Sequence, residues 1–261
     1  MLRREYQAKP SECNANREVP LTLLTSQIID IATDHANIFG IGFMNLEPKG
    51  LGWVLSRLSA EMKRWPRNGE KYFLSTWIES YNAHFSERCF RIDDSEGEAI
   101  GYARTIWMII DLKTHKSEGT ASTVMPEEMI AGLPCPIPRM AKERVSEPER
   151  TREYTFKYCD LDYYRHVNTV RYISILLNQL DLEDYDTHIL SRFDIAFNHE
   201  AKYGETAIIK TNSAEGKTPG MQPQDRKSRK HIFTLTVGDH TVLTAGITMT
   251  SPHGSSPAGE D

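Results

Sequence analysis

The sequence predicts an α+β fold in which two similar halves each combine one long helix with a set of strands. Two segments carry apolar residues at helical spacing, and the other regular segments have the character of strands. In the first part of the chain a short strand, a helix and about four strands follow one another, and this order recurs in the second part. The recurrence suggests an internal duplication.

The first half is predicted to begin with a short strand around Tyr6 and a helix over residues 21–39. The helix is indicated by apolar residues at helical spacing, namely Leu21, Leu24, Ile28, Ile31 and Ile38. Gly40 then ends the pattern. Strand-like segments follow over residues 53–64, 71–81, 85–93 and 100–111, with a turn at residues 94–97 before the last.

The second half is predicted to contain a strand over residues 151–159 and a helix over residues 168–180, with Asn168 as its N-cap. Further strands are predicted over residues 191–200, 205–212, 231–238 and 241–250. We expect the polar stretch 212–230 to be a flexible loop and residues 251–261 to be a disordered tail. Residues 112–150, with five prolines, are expected to connect the halves, which gives an N-terminal domain over 1–140 and a C-terminal domain over 141–261.

The composition argues against several classes of protein. With 261 residues and a net charge of −5, the chain is too acidic for broad nucleic-acid binding, which needs a basic face. Its longest apolar runs fall far short of the roughly 20 residues that a membrane-spanning helix requires. Four scattered cysteines without a Cys-x-x-Cys pair, and an N-terminus without an apolar signal segment, predict a cytoplasmic protein.

The residues that could perform chemistry lie between a predicted strand and the second helix, over residues 160–168. This segment contains an acid at Asp162, an imidazole at His166 and an amide at Asn168. Free amides and the helix dipole at such a junction can stabilise developing negative charge, while an acid and an imidazole can orient water. On spacing alone, an ordinary capping turn is the simpler interpretation, with Asp162 or Asn168 as the cap and His166 as a surface residue.

Residues 160–173 also resemble a motif of a known enzyme family. Their pattern, Asp-Leu-Asp-x-x-x-His-Val-Asn-x-x-x-Tyr-Ile, is similar to the second-half motif of the acyl-acyl carrier protein thioesterases. Segments of the first half resemble the opening strands of that family, at residues 53–57, 64–70, 76–77, 88–92 and 106–111. The resemblance covers roughly residues 4–250. It implies a tandem hotdog fold, in which a curved antiparallel sheet wraps a long helix in each half, and hydrolysis of fatty acyl thioesters to free fatty acid.

The resemblance further implies the site residues. The family's aspartate and histidine fall on Asp162 and His166, and its glutamate falls on Glu200. We expect Glu200 to polarise a water molecule and the other two residues to orient that water or the acyl group. Tyr164 stands where the family commonly has asparagine, and we expect it to be a hydrogen-bond donor or a wall of the site. Plant members carry cysteine directly after the glutamate; Ala201 stands here, which favours attack by water.

The implied partner is an acyl carrier protein that carries a fatty acyl chain. No metal, organic cofactor, nucleic acid or membrane span is expected, and a homodimer is compatible with these expectations. The first half is expected to hold the acyl tail, because no acid and histidine follow the start of its helix. Lys63, Arg64 and Arg67 are candidates for docking the acidic carrier. Two alternatives stay open: a non-catalytic acyl-binding protein, suggested by Tyr164, and a thioesterase that acts on coenzyme A esters.

Overall fold

The computed structural model describes residues 1–120, 127–141, 145, 147–217 and 227–251. The strands of the first half are β1 (Leu2–Gln7), β2 (Leu51–Met62), β3 (Lys71–Tyr81), β4 (Ser86–Asp94) and β5 (Ala99–Asp111). Those of the second half are β6 (Arg150–Thr155), β7 (Ile189–Phe197), β8 (Thr206–Lys217), β9 (Lys227–Val237) and β10 (His240–Thr250). The α-helices of the described residues are α1 (Leu21–Ile38), α2 (Phe43–Leu46), α3 (Thr169–Leu177) and α4 (Leu182–Thr187).

All these strands belong to one ten-stranded sheet, in the order β1-β3-β4-β5-β2-β7-β10-β9-β8-β6. The five strands of each half therefore lie side by side. The halves join where β2 pairs antiparallel with β7, from Arg57 opposite Ala196 to Glu61 opposite Arg192. Because β5 lies on the other side of β2, the turn that follows β5 comes close to the end of β7. The predicted α+β fold class is confirmed.

The two long helices share one hydrophobic core with the strands of both halves. From α1, Leu24, Ile28 and Ile31 are buried in this core, and from α3, Ile173 and Leu176 are buried in it. Burial of a side chain of this size contributes about 1.5–3 kcal/mol to folding. The halves are thus coupled by packing as well as by the β2–β7 junction. None of the described helices has the length and apolar character needed to cross a membrane.

The two predicted helices are confirmed, and their ends differ slightly from the prediction. The first ends at Ile38. The second begins after Asn168, whose side chain accepts a hydrogen bond from the Val170 amide at 2.8 Å, so the predicted N-cap is confirmed. It ends at Leu177 rather than at residue 180. The chain then turns into α4. At the start of α4 the Asp181 amide donates a hydrogen bond to the Asp184 carboxylate at 3.4 Å.

The predicted flexible loop over residues 212–230 is wrong at both ends. β8 continues to Lys217 and β9 begins at Lys227, and the ladder runs unbroken from Asn212 opposite Ile232 to Lys217 opposite Lys227. Polar side chains misled the prediction because the hydrogen bonds of a ladder come from the backbone. Residues 218–226 and the predicted tail from residue 252 onwards lie outside the described residues. The strand predicted over 151–159 ends at Thr155, because residues 158–160 form a 3₁₀ turn.

The described part of the connector packs against the sheet of the first half. Trp77 on β3 donates a hydrogen bond from Nε1 to the Leu133 carbonyl at 2.7 Å. Cys135 and Ile137 are buried with Trp77 and Cys89 in a cluster separate from the main core. The connector therefore covers a second surface of this sheet instead of only spanning the gap between the halves. The boundary at residues 140 and 141 stays a prediction.

Candidate active site

The loop before α3 is organised by the Asp162 carboxylate. Its Oδ1 accepts hydrogen bonds from the amides of Tyr164 at 2.9 Å and His166 at 3.0 Å. The Asp162 amide in turn donates to the His166 carbonyl at 2.7 Å, and Arg165 takes a left-handed conformation with φ of 68°. Asp162 thus fixes the loop backbone that presents the His166 ring. In these contacts Asp162 stabilises the loop backbone, and its carboxylate contacts amides of the loop.

His166 and Glu200 are brought together from two elements of the second half. His166 Nε2 lies 3.4 Å from Glu200 Oε2, and the two side chains are 17% and 40% exposed. Glu200 follows the end of β7, and the next residue, Ala201, is fully buried. Its amide donates to the Tyr172 hydroxyl at 3.1 Å and its carbonyl accepts from the Val167 amide at 2.9 Å. These bonds hold the backbone of Glu200 beside the His166 loop.

Tyr164 lies at the rim of the site and is held by aromatic contacts. Its ring is 37% exposed and lies against the Tyr163 ring, with centroids 4.0 Å apart. Tyr163 in turn contacts Phe43 of α2 edge to face, at 6.0 Å. Burial and the adjacent Tyr164 hydroxyl raise the pKa of Tyr163, so its hydroxyl stays protonated. The predicted role of Tyr164, as a wall of the site or a hydroxyl donor, stays a prediction.

The first turn of α3 is largely occupied by its cap. Asn168 Oδ1 takes the Val170 amide, and the Asn168 carbonyl accepts from Arg171 at 3.0 Å and Tyr172 at 3.2 Å. The amides of Val170 and Arg171 are therefore engaged and not directed at a ligand. The expectation that this helix start donates to an oxyanion stays a prediction, and these three bonds limit it to the remaining first-turn amide, that of Thr169.

The structure adds a residue that sequence reasoning missed, His115. It lies in the turn after β5, with φ of 56°, and its Nδ1 is 3.0 Å from Glu200 Oε2. Its ring also meets the His166 ring edge to face, with centroids 5.2 Å apart. No motif marks His115 in the sequence. Only the β2–β7 junction, which brings β5 of the first half near β7 of the second, places it in the site.

Glu200 and the two imidazoles could also hold a metal ion. Their donor atoms lie within 4.8 Å of one another. Two imidazoles and one carboxylate are a ligand set that zinc accepts. A metal-bound histidine usually donates a hydrogen bond from its second ring nitrogen to a carboxylate, a backbone carbonyl or water. Here the ring nitrogens His115 Nδ1 and His166 Nε2 both contact Glu200 Oε2 itself.

Comparisons with known proteins point to one family. A family model described as "Acyl-ACP thioesterase N-terminal domain" matches residues 1–132, and one described as "Acyl-ACP thioesterase C-terminal domain" matches residues 143–244. Oleoyl-acyl carrier protein thioesterase 1, chloroplastic, from Arabidopsis thaliana is 23% identical over 94% of this chain and 74% of its own length. A chloroplastic palmitoyl-acyl carrier protein thioesterase from Gossypium hirsutum is 22% identical over 91% of this chain, which spans only 61% of that protein.

Solved structures agree with this relationship. An acyl-ACP thioesterase from Bacteroides thetaiotaomicron has a TM-score of 0.81 and 27% identity, covering 95% of this chain and 96% of its own. The 12:0-ACP thioesterase from Umbellularia californica has a TM-score of 0.78 at 18% identity, covering 95% and 93% of the two chains, and this likeness shows the fold alone. Together with the antiparallel sheet and the helix of each half, these similarities confirm the expected tandem hotdog fold.

Proposed function

Because the chain belongs to the acyl-ACP thioesterase family, we propose that it hydrolyses fatty acyl-acyl carrier protein thioesters to free fatty acid and carrier thiol. The observation that carries the proposal is the Glu200 carboxylate, open to solvent and within 3.4 Å of the His166 imidazole. These are the residues on which the family motif places its acid and its histidine. In this role the protein ends chain elongation in fatty acid biosynthesis.

Water is the nucleophile in the proposed reaction. Glu200 accepts a proton from the water as the water oxygen bonds to the thioester carbonyl carbon, and the carbonyl electrons move onto oxygen. When this oxyanion collapses, the carbon–sulfur bond breaks and the leaving thiolate takes up the proton that Glu200 held. Ala201 supports water over a side-chain nucleophile, because a buried methyl group cannot attack.

The other predicted residues have different roles in this proposal. His166 orients Glu200 and the water, since its Nε2 faces the Glu200 carboxylate. Asp162 acts through the backbone, because its Oδ1 holds the amides of Tyr164 and His166. Tyr164 forms a wall and offers one hydroxyl donor. The second half is then the catalytic half, and the first half houses the acyl tail.

The carrier protein is the proposed macromolecular partner. The docking role predicted for Lys63, Arg64 and Arg67 stays a prediction, and the contacts of Arg64 favour a docking surface closer to the site. Arg64 is already paired with Glu70 at 2.8 Å and Asp94 at 3.0 Å. It lies beyond the far end of β2, about 35 Å along the strand from the end that packs beside the turn of His115. Exposed lysines close to the site suit an acidic carrier better, and these are Lys113, Lys116 and Lys202.

We also propose a cytoplasmic location, supported by the likeness to the Bacteroides thetaiotaomicron protein and by four cysteines that are all free thiols. A homodimer stays a prediction.

Of the two alternatives, the non-catalytic acyl-binding protein is favoured by one observation, Tyr164 in place of the family's asparagine. Coenzyme A ester hydrolysis differs from the main proposal only in the carrier of the acyl group.

Thiol release from acyl-acyl carrier protein and from acyl-coenzyme A of the same chain length tests the proposal. We expect a clearly higher kcat/KM for the carrier substrate. Glu200→Gln and His166→Ala are each expected to lower kcat about 100-fold or more, as loss of acid–base catalysis does. Glu183→Gln is the matched control, because Glu183 is an exposed glutamate on α4.

Each alternative has its own outcome in this assay. Equal or faster turnover of acyl-coenzyme A would support the coenzyme A alternative. Acyl binding without thiol release from either substrate would support the binding protein. Activity within a few-fold of the parent in either Glu200→Gln or His166→Ala would overturn the site assignment.

A further inference from the structure

His115 is the contribution of the first half to the described site, and it contacts the group proposed as the base. Its Nδ1 lies 3.0 Å from Glu200 Oε2, a distance at which an N–H···O hydrogen bond can form. His166 Nε2 approaches the same oxygen from 3.4 Å. Both imidazoles therefore converge on Oε2, and none of the described contacts of Glu200 uses Oε1. One oxygen is held while the other stays open to accept from water.

The turn that carries His115 is built to fix this geometry. The Asp111 carboxylate Oδ1 accepts from the amides of Lys113 at 3.0 Å and Thr114 at 2.6 Å, and the Asp111 carbonyl accepts from the His115 amide at 2.8 Å. The hydrogen bonds from Thr114 and Lys113 lower the pKa of the Asp111 carboxylate, which keeps this carboxylate ionised. The amide of the next residue, Leu112, donates a hydrogen bond to the Gly50 carbonyl at 2.8 Å. These hydrogen bonds connect the turn of His115 to the end of β5 and to the residue before β2.

The backbone of His115 is itself unusual. Its φ of 56° lies in the left-handed region, which costs an L-residue other than glycine free energy. Strain of this kind persists where the surroundings over-determine it, and it is concentrated at functional sites. Here the strained conformation directs the imidazole across the junction between the halves to Glu200.

We propose that His115 is a positioning residue for Glu200, a role that rests on the proposed hydrolysis. Its Nδ1–H donates to Oε2 and holds the carboxylate so that Oε1 faces the attacking water. The site is then complete only when the first half supplies this donor to the second half. His115 acts through Glu200 and touches neither the water nor the thioester.

Two substitutions at the same strained position isolate the donor. Glycine and asparagine both tolerate φ above zero, so neither adds backbone strain. His115→Asn retains an N–H donor near the place of Nδ1, whereas His115→Gly removes it. We expect His115→Gly to lower kcat about tenfold to 100-fold, the value of one hydrogen bond to a charged group, with KM within about twofold. His115→Asn should keep kcat within a few-fold of the parent.

A double-mutant cycle and a control complete the test. In a Glu200→Gln background, His115→Gly should lower kcat by no more than about twofold further, because the residue acts through Glu200. His84→Gly, at an exposed histidine in the turn between β3 and β4, is the control and should leave kcat unchanged. Melting temperatures of all variants show that the comparison is made between folded proteins.

The outcomes separate this inference from the proposed function. Parent-like kcat in His115→Gly, alongside a Glu200→Gln variant that has lost activity, overturns the inference and leaves the proposed function standing. Equal losses in His115→Asn and His115→Gly also overturn it, since the donor would then not matter. Unchanged activity in Glu200→Gln overturns the proposed role of Glu200 and the inference with it.

Discussion

The two halves of the molecule repeat an order of elements but differ in what precedes their helices. In the second half, the loop held by Asp162 leads into α3, which the Asn168 side chain caps. In the first half, α1 begins directly after Pro20, and no side chain of the described residues caps it. The first half instead contributes His115 from the turn that follows β5. The scaffold is repeated, whereas the proposed catalytic groups lie close to the junction of the halves.

The halves also differ in the charges that surround their buried histidines. In the first half, the buried Arg88 donates to His35 Nδ1 at 2.8 Å. Burial, followed by the charge of Arg88, lowers the pKa of His35 to about 4. In the second half, His231 Nε2 lies 3.9 Å from the Asp184 carboxylate. Burial lowers the pKa of His231 as well, but Asp184 opposes the effect. A proton is therefore more costly to place on His35 than on His231.

Because of this difference, we expect the titration of His35 to change the free energy of unfolding with pH more than the titration of His231 does. His35 is neutral when folded and has an ordinary pKa near 6.5 when unfolded, so acid protonates the unfolded chain first. The stabilisation is complete above pH 6.5 and is lost as the pH falls towards 4. The loss amounts to about 3 kcal/mol at most. In His35→Gln, which keeps an acceptor for Arg88, we expect the free energy of unfolding to fall less over this pH range.

Urea unfolding between pH 7.5 and pH 4 measures this effect. His231→Gln is the matched variant of the second half, and we expect it to flatten the pH dependence less than His35→Gln does. Equal flattening in both variants would show that Asp184 does not offset the burial of His231. An unchanged pH dependence in His35→Gln would contradict the comparison.

The sequence predicted the second half of the site better than the first because its residues lie in one contiguous motif. Asp162, His166 and Asn168 lie within seven residues, and their loop and cap follow from local chemistry. Glu200 came from the resemblance, since spacing alone does not connect it to His166. His115 could not be predicted, because its contact depends on the pairing of β2 with β7 between the halves. Side-chain polarity likewise could not show that β8 and β9 continue as paired strands.

Substitutions of Tyr164 test whether the loop of the second half contributes to catalysis beyond the contacts of Asp162 and His166. The phenol offers one hydroxyl, and its ring is already held against Tyr163. We expect Tyr164→Phe to lower kcat by roughly tenfold or less, because it removes one hydrogen bond of about 1–2 kcal/mol and keeps the wall. Tyr164→Asn should retain measurable thiol release. An inert parent that gains robust turnover in Tyr164→Asn would instead identify a binding protein that has lost its activity.

The smallest expected effect concerns the division of labour between the halves. Leu24 on α1 and Leu176 on α3 are both fully buried leucines of the shared core, which makes them a matched pair. Replacement of either by alanine costs about 2–5 kcal/mol of stability, so product profiles are compared at a temperature where both variants are folded. If the first half holds the acyl tail, Leu24→Ala provides space for a longer chain. Each additional buried methylene is worth about 0.8 kcal/mol, which shifts the ratio of neighbouring chain lengths about fourfold. Leu176→Ala should leave that ratio unchanged, and a shift in Leu176→Ala alone would assign the acyl tail to the second half.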